Sequence, residues 1–226
     1  MSLQLFYHPL SSFSHKVLIA LYENATPFAP RLLVREDPAT YQQFKQLFPT
    51  GKMPLLRDLA HDRTIPETSI IIEYLQTFYP GPVALIPADP LPATQVRLWD
   101  RLFDLYVHLP MQKIVGDRLR EPDSRDPAGV LEARAQLRNS YAMVEAELTL
   151  GKKEWIAGER FSMADCAAAP ALFYADTLEP IGEAAPAVTA YLNRLMARPS
   201  YARALEEAEP YFHMYPLDPK PSRAPR

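Results

Sequence analysis

Leu10-Ser11-Ser12-Phe13-Ser14-His15-Lys16-Val17 decides how this chain reads. Ahead of it, Leu3, Leu5 and Tyr7 alternate with Gln4, Phe6 and His8, the period-two pattern of a strand with one face buried. Behind it, Val17, Leu18, Leu21 and Tyr22 recur at helical spacing and predict a helix over 14–24. The hydroxyl-rich stretch therefore lies where a strand hands over to a helix, a place where serines cap the first helical amides.

Outward from that junction, Phe28 to Val34 reads as a second strand and Pro38 to Phe48 as a helix. Pro54 to Arg57 and Thr64-Ile65 read as a short strand pair around His61-Asp62. A third helix follows Pro66, with Ile70, Ile71, Tyr74, Leu75 and Phe78 as its buried stripe, and Tyr79-Pro80-Gly81-Pro82 stops it. The order is βαβ-α-ββα, an α/β domain over 1–80.

Beyond a linker at 81–90, every periodic segment is helical, giving an all-α domain over 91–215 and an extended, proline-rich tail over 216–226. Leu98, Trp99, Leu102, Phe103, Leu105, Tyr106 and Leu109 form one apolar stripe, which Pro110 should kink or end. Leu137, Tyr141, Val144 and Leu148 form a second, linked to the first by Arg120 to Pro127. Ser162-Met163-Ala164-Asp165 spells a helix cap, and Pro170 predicts a local kink in the helix that follows. Two more helices read over 186–197 and 200–209.

With 226 residues, 48% of them hydrophobic, the chain has ample material for cores. A net charge of -3 gives no basic patch for nucleic acid or anionic lipid, so neither partner is expected. No apolar stretch approaches the ~18 residues of a membrane span, and the chain starts directly on a strand-like run, so a cytoplasmic location is expected. The single Cys166, in a small-residue helical segment, excludes an internal disulfide framework and reads as a packed hydrophobe. His8 and His15 lack a third ligand at metal-binding spacing, so no metal is expected. Ser11 paired with either histidine lacks the nucleophile elbow of a hydrolase.

Taken together, Ser11-Ser12-Phe13-Ser14, Gly51-Lys52-Met53-Pro54, Glu67-Thr68-Ser69, the Ser162/Asp165 cap and the Arg198-Pro199-Ser200-Tyr201 turn extend over nearly the whole chain. In this combination the sequence resembles the cytosolic glutathione S-transferases, which join a thioredoxin-like domain to an all-helical one. The resemblance is to the serine-type theta, phi and zeta classes, and it implies that Ser11 hydrogen-bonds the sulfur of glutathione. Tyr7, where the alpha, mu and pi classes keep a tyrosine, is the second choice, and Ser12 a further alternative. The absence of a cysteine here argues against a mixed-disulfide reductase.

The same resemblance implies a cis Pro54 that leaves the Met53 backbone to hold the cysteinyl part of glutathione. Lys52 would face the glycyl carboxylate. Glu67 would take the γ-glutamyl ammonium, and Thr68, where the family usually has serine, the α-carboxylate. Phe13 joins the glutathione contacts and, with Phe103, Tyr106, Met111, Tyr211, Phe212 and Tyr215, supplies apolar candidates for the second substrate, a small and hydrophobic electrophile. Glutathione as co-substrate without a metal, and a homodimer, complete the expectation. A non-catalytic interaction protein, or an isomerase, dehalogenase or peroxidase on the same fold, are the alternatives.

The chemistry demanded of Ser11 is modest. A thiol of pKa about 8.5 lowered by about two units needs roughly 2.7 kcal/mol of preference for the anion. A hydroxyl donating to a charged sulfur supplies ~1.5 to 3 kcal/mol, and a helix N-terminus a further ~0.3 to 1.

Overall fold

A computed structural model describes residues 1–151 and 153–225. The first half runs β1 (Leu3–Tyr7), α1 (Ser12–Glu23), β2 (Ala29–Leu32), α2 (Pro38–Leu47), β3 (Leu55–Asp58), β4 (Arg63–Ile65) and α3 (Thr68–Phe78), the order read from the sequence. Its sheet has strand order β2-β1-β3-β4. β1 pairs parallel to β2 and antiparallel to β3, and β3 pairs antiparallel to β4. Leu3, Leu5 and Leu56 bury one face of this sheet against the main core, while Phe6, Leu33, Phe44 and Leu55 form a small second core under α2.

The second half is all helical: α4 (Pro90–Leu102), a π-helical turn (Phe103–His108), α5 (Leu109–Arg118), α6 (Pro127–Gly151), α7 (Met163–Asp176), α8 (Pro186–Ala197) and α9 (Pro199–Ala208). α7 is buried along its length from Met163 to Ala175 and packs against α1 and α4. Its start is held by the Asp165 carboxylate, which accepts from the Ser162 amide and hydroxyl, the Ile156 amide and the Tyr191 phenol. Both halves of the serine–aspartate cap read from the sequence are present, and the Ser162 hydroxyl also donates to Asp165.

Four expectations need correction. In α3, Ile70 and Phe78 are exposed and Ile72 is buried instead. In the long apolar stripe, Trp99 and Phe103 are buried, but Leu98, Leu105, Tyr106 and Leu109 are exposed. The cause is the π turn: an i→i+5 closure adds a residue and rotates everything beyond it, so the inward positions fall four apart at Trp99, Phe103, Val107 and Met111. Pro110 does not end the helix, because the wide turn precedes it and the Tyr106 carbonyl, which a regular helix would pair with residue 110, accepts from Ser140 Oγ at 2.8 Å. Finally, the tail bends over 216–219 rather than running extended, and Lys220 Nζ reaches back to the carbonyls of Tyr215 and Leu217.

Candidate active site

Between the end of β1 and the start of α1 the chain turns tightly. The Ser11 amide donates to the His8 carbonyl at 2.9 Å, and the Leu10 amide to His8 Nδ1 at 3.1 Å. His15, fully buried one turn into α1, has Nε2 at 2.6 Å from the Pro9 carbonyl. A carbonyl only accepts, so Nε2 carries the proton, and burial pushes the ring down to about 4, leaving it neutral. Ser11 is the N-cap of α1, with Oγ accepting from the Ser14 amide at 3.3 Å. Its own hydroxyl proton is thereby left to donate.

A cleft of about 430 Å³ opens above this turn. Ser11, Phe13, Lys52, Met53, Pro54, Glu67 and Thr68, the residues singled out from the sequence, all line it. The Met53–Pro54 peptide is cis. Gly51, also in the wall, has φ +69, a conformation that favours glycine. Glu67 has φ 66 and ψ 117 as the N-cap of α3, and its side chain makes no capping hydrogen bond. A non-glycine residue in that region costs of order 1–3 kcal/mol, and such residues cluster at ligand sites. Thr68, buried, opens α3 and lines the cleft with Glu67, and a helix N-terminus is a natural anion site.

The alternatives fall elsewhere. Tyr7 is 5% exposed and does not line the cleft; burial, then Glu207 nearby, pushes its phenol up to about 12. Ser12 lines a neighbouring cleft of about 340 Å³, which shares Ser11 and Gln112 with the first. Met111 and Tyr215 also line this second cleft, whereas Phe103 and Phe212 are packed in the core and Tyr106 and Tyr211 line neither. Tyr211 stacks edge-on against His8.

Sequence reasoning missed the opposite wall and what lies behind it. Arg101, Asp104, Leu105, Leu109 and Gln112 close the first cleft from the helical half. Behind them Lys16 is fully buried, with Nζ at 2.7 Å from Asp100, 2.8 Å from Asp104 and 3.0 Å from Ser69 Oγ. Ser69 in turn donates to Asp100 at 2.5 Å. Burial works to raise Asp104, but the Lys16 charge and then His108 bring it down to about 2. Asp100 is raised, by burial and by the neighbouring carboxylate, against the Lys16 charge that lowers it, and the one ammonium is shared by the two carboxylates. His108 is also buried and stacks on Phe13 with ring centroids 4.2 Å apart. The available signal was two aspartates four apart on the same stripe as Trp99 and Phe103, which demand a buried cation.

Among the described residues no group of three or more His, Cys, Asp or Glu is placed to hold a metal ion, and no helix is long and apolar enough to cross a membrane.

Against this geometry, comparison with known proteins is consistent at every level. Residues 10–77 match the glutathione S-transferase N-terminal domain and residues 106–199 the glutathione S-transferase C-terminal domain. FtsZ-localized protein A of Caulobacter vibrioides is 32% identical over 220 residues, covering 91% of this chain and 92% of that protein. A glutathione S-transferase of Methylobacterium radiotolerans in complex with glutathione sulfonate is 27% identical, with a TM-score of 0.77 over 89% of this chain and 93% of that one. One from Methylobacillus flagellatus with glutathione bound is 26% identical, with a TM-score of 0.80 over 90% and 98%. The chain belongs to the glutathione S-transferase family.

Proposed function

We propose that this protein is a glutathione transferase of the serine type, in which Ser11 donates to the glutathione sulfur and holds it as thiolate for attack on a small electrophile. One observation carries this reading: a single cleft gathers Ser11 at the start of α1, the Met53–Pro54 backbone and Glu67-Thr68 at the start of α3. A zwitterionic tripeptide needs those three kinds of group, an acceptor for its ammonium, donors for its carboxylates and a donor for its sulfur. Phe13 and Lys52 complete the tripeptide site, and the neighbouring cleft receives the electrophile. Titration calorimetry with glutathione tests the reading, with saturable binding at millimolar levels or below expected; folded protein that gives no heat at those levels overturns it.

The domain limits proposed from the sequence, 1–80 for the glutathione half, 81–90 for the linker and 91–215 for the helical half, go with this function. The exposed apolar side chains of Ile70, Leu98 and Tyr106 support a homodimer, to be read in light scattering as twice the 25.6 kDa of one chain. A cytoplasmic location fits a reaction that uses free glutathione.

A second reading is favoured by the similarity to FtsZ-localized protein A: a role in binding a partner protein. Failure to bind glutathione, together with co-sedimentation with polymerised FtsZ, would establish it instead.

A further inference from the structure

Four charged side chains stand in the wall of the first cleft: Lys52, Glu67, Arg101 and Asp104. Asp104 shares the Lys16 ammonium, 2.8 Å away, so its charge is answered inside the fold. Arg101 Nη1 stands 3.8 Å from that same carboxylate, beyond hydrogen-bond length, and its side chain is 54% exposed. The guanidinium makes no hydrogen bond among the described residues, and neither Lys52 nor Glu67 has an ion-pair partner there. The cleft is left with two uncommitted cations and one uncommitted anion. Glutathione at neutral pH carries two carboxylates and one ammonium, the complementary set. The place of Arg101 decides which carboxylate it meets. Arg101, Leu105, Leu109 and Gln112 line the cleft at helical spacing through the π turn. At one end of this row, Gln112 is shared with the second cleft, as Ser11 is, so that end lies where sulfur meets electrophile. At the other end, about three turns or roughly 16 Å along the axis, Arg101 approaches Asp104, which connects through Lys16 to Ser69 in the first turn of α3. The guanidinium therefore belongs to the end of the cleft that Glu67 and Thr68 form, not to the sulfur end.

We propose that Arg101 binds glutathione from the helical half, pairing with the α-carboxylate of the γ-glutamyl end while Glu67 takes the ammonium on the same carbon, so that the thiols this cleft accepts are those with a complete α-amino-acid end. The Thr68 hydroxyl and the start of α3 supply donors and a partial positive charge to that carboxylate, and Arg101 adds the full countercharge they lack. A planar guanidinium suits the task, because two parallel N–H donors meet the two oxygens of a carboxylate. Lys52 remains for the glycyl carboxylate. Bound glutathione then ties α3 to α4 across the cleft, and the helical half contributes to affinity for the thiol as well as to the choice of electrophile.

The inference rests on the glutathione transferase reading, and three thiols separate the two. Dissociation constants are read by NMR titration of the folded protein, a method suited to weak complexes. The ligands are glutathione, 4-aminobutanoyl-cysteinylglycine, which lacks only the α-carboxylate, and glutaryl-cysteinylglycine, which lacks only the ammonium. Arg101→Met keeps an unbranched apolar stem and removes the charge. It is expected to weaken glutathione and the glutaryl thiol by about 5- to 20-fold, the worth of a charge-assisted pair discounted for exposure, and to leave the 4-aminobutanoyl thiol within about twofold. Arg101→Lys, which keeps the charge without the fork, should fall between Arg101→Met and wild type. Glu67→Gln should invert the pattern, weakening glutathione and the 4-aminobutanoyl thiol while sparing the glutaryl thiol. A uniform loss over the three thiols in Arg101→Met, or no loss for glutathione, would overturn the inference. Wild-type protein that binds glutathione and the 4-aminobutanoyl thiol equally well would overturn it too, whereas no binding of glutathione would remove the reading beneath it.

Discussion

Ser11 Oγ accepts from the Ser14 amide to start α1, and in the proposed reading the same oxygen keeps a proton for the glutathione sulfur. Ser11→Ala should remove both. The lost cap costs about 1 kcal/mol of stability, seen as a small fall in denaturant midpoint. The lost donor should lower glutathione-dependent kcat/KM at neutral pH by about 10- to 100-fold and move the rising limb of its pH profile upward. An unchanged pH profile would return the role to Tyr7 or Ser12. That Ser11, Pro54, Glu67 and Thr68 line one cleft was legible in the sequence because each is placed by a local event, a cap, a strand start or a helix start, within a few residues of its signal.

At the scale of elements, legibility follows the range of the interaction. The order βαβ-α-ββα came from local periodicity, and so did α6, whose stripe of Leu137, Tyr141, Val144 and Leu148 is buried throughout. The π turn escaped, because a stripe is extrapolated at 3.6 residues per turn and one added residue rotates the face. At the far end of the sheet from this turn, β3 closes on α3 through Asp58, whose carboxylate accepts from Tyr79, His61 and Tyr74. Burial alone would raise that carboxyl, but these bonds hold it well below the usual carboxylate range. A depressed pKa stabilises the fold above the unfolded value near 3.9, and the contribution is lost as pH falls toward the folded value. Asp58→Asn should therefore lose about 2 kcal/mol at pH 7 and show a flatter stability curve between pH 5 and 2 than the wild type, measured by urea unfolding.

Across the whole molecule, the site is made by two halves meeting, and one side chain does much of the joining. Lys16 from α1 binds Ser69 on α3 and Asp100 and Asp104 from the helical half, 84 and 88 positions away in sequence. No local pattern could announce a pair so distant. Lys16→Met leaves two buried carboxylates without their cation, and a loss of about 3–5 kcal/mol is expected in chemical denaturation. Adding Asp100→Asn and Asp104→Asn to that variant should recover a good part of it, because the uncompensated charge is then gone; no recovery would show that packing, not charge, is what Lys16 supplies.

That buried ammonium also limits how such proteins can be recombined. A chimera that grafted the first 78 residues onto the helices of a relative without acids at positions 100 and 104 would strand a charge at the graft, however well the two backbones superposed. The halves of this chain are thus bound to change together in evolution, and a substitution on one side becomes tolerable only after its counterpart has appeared on the other.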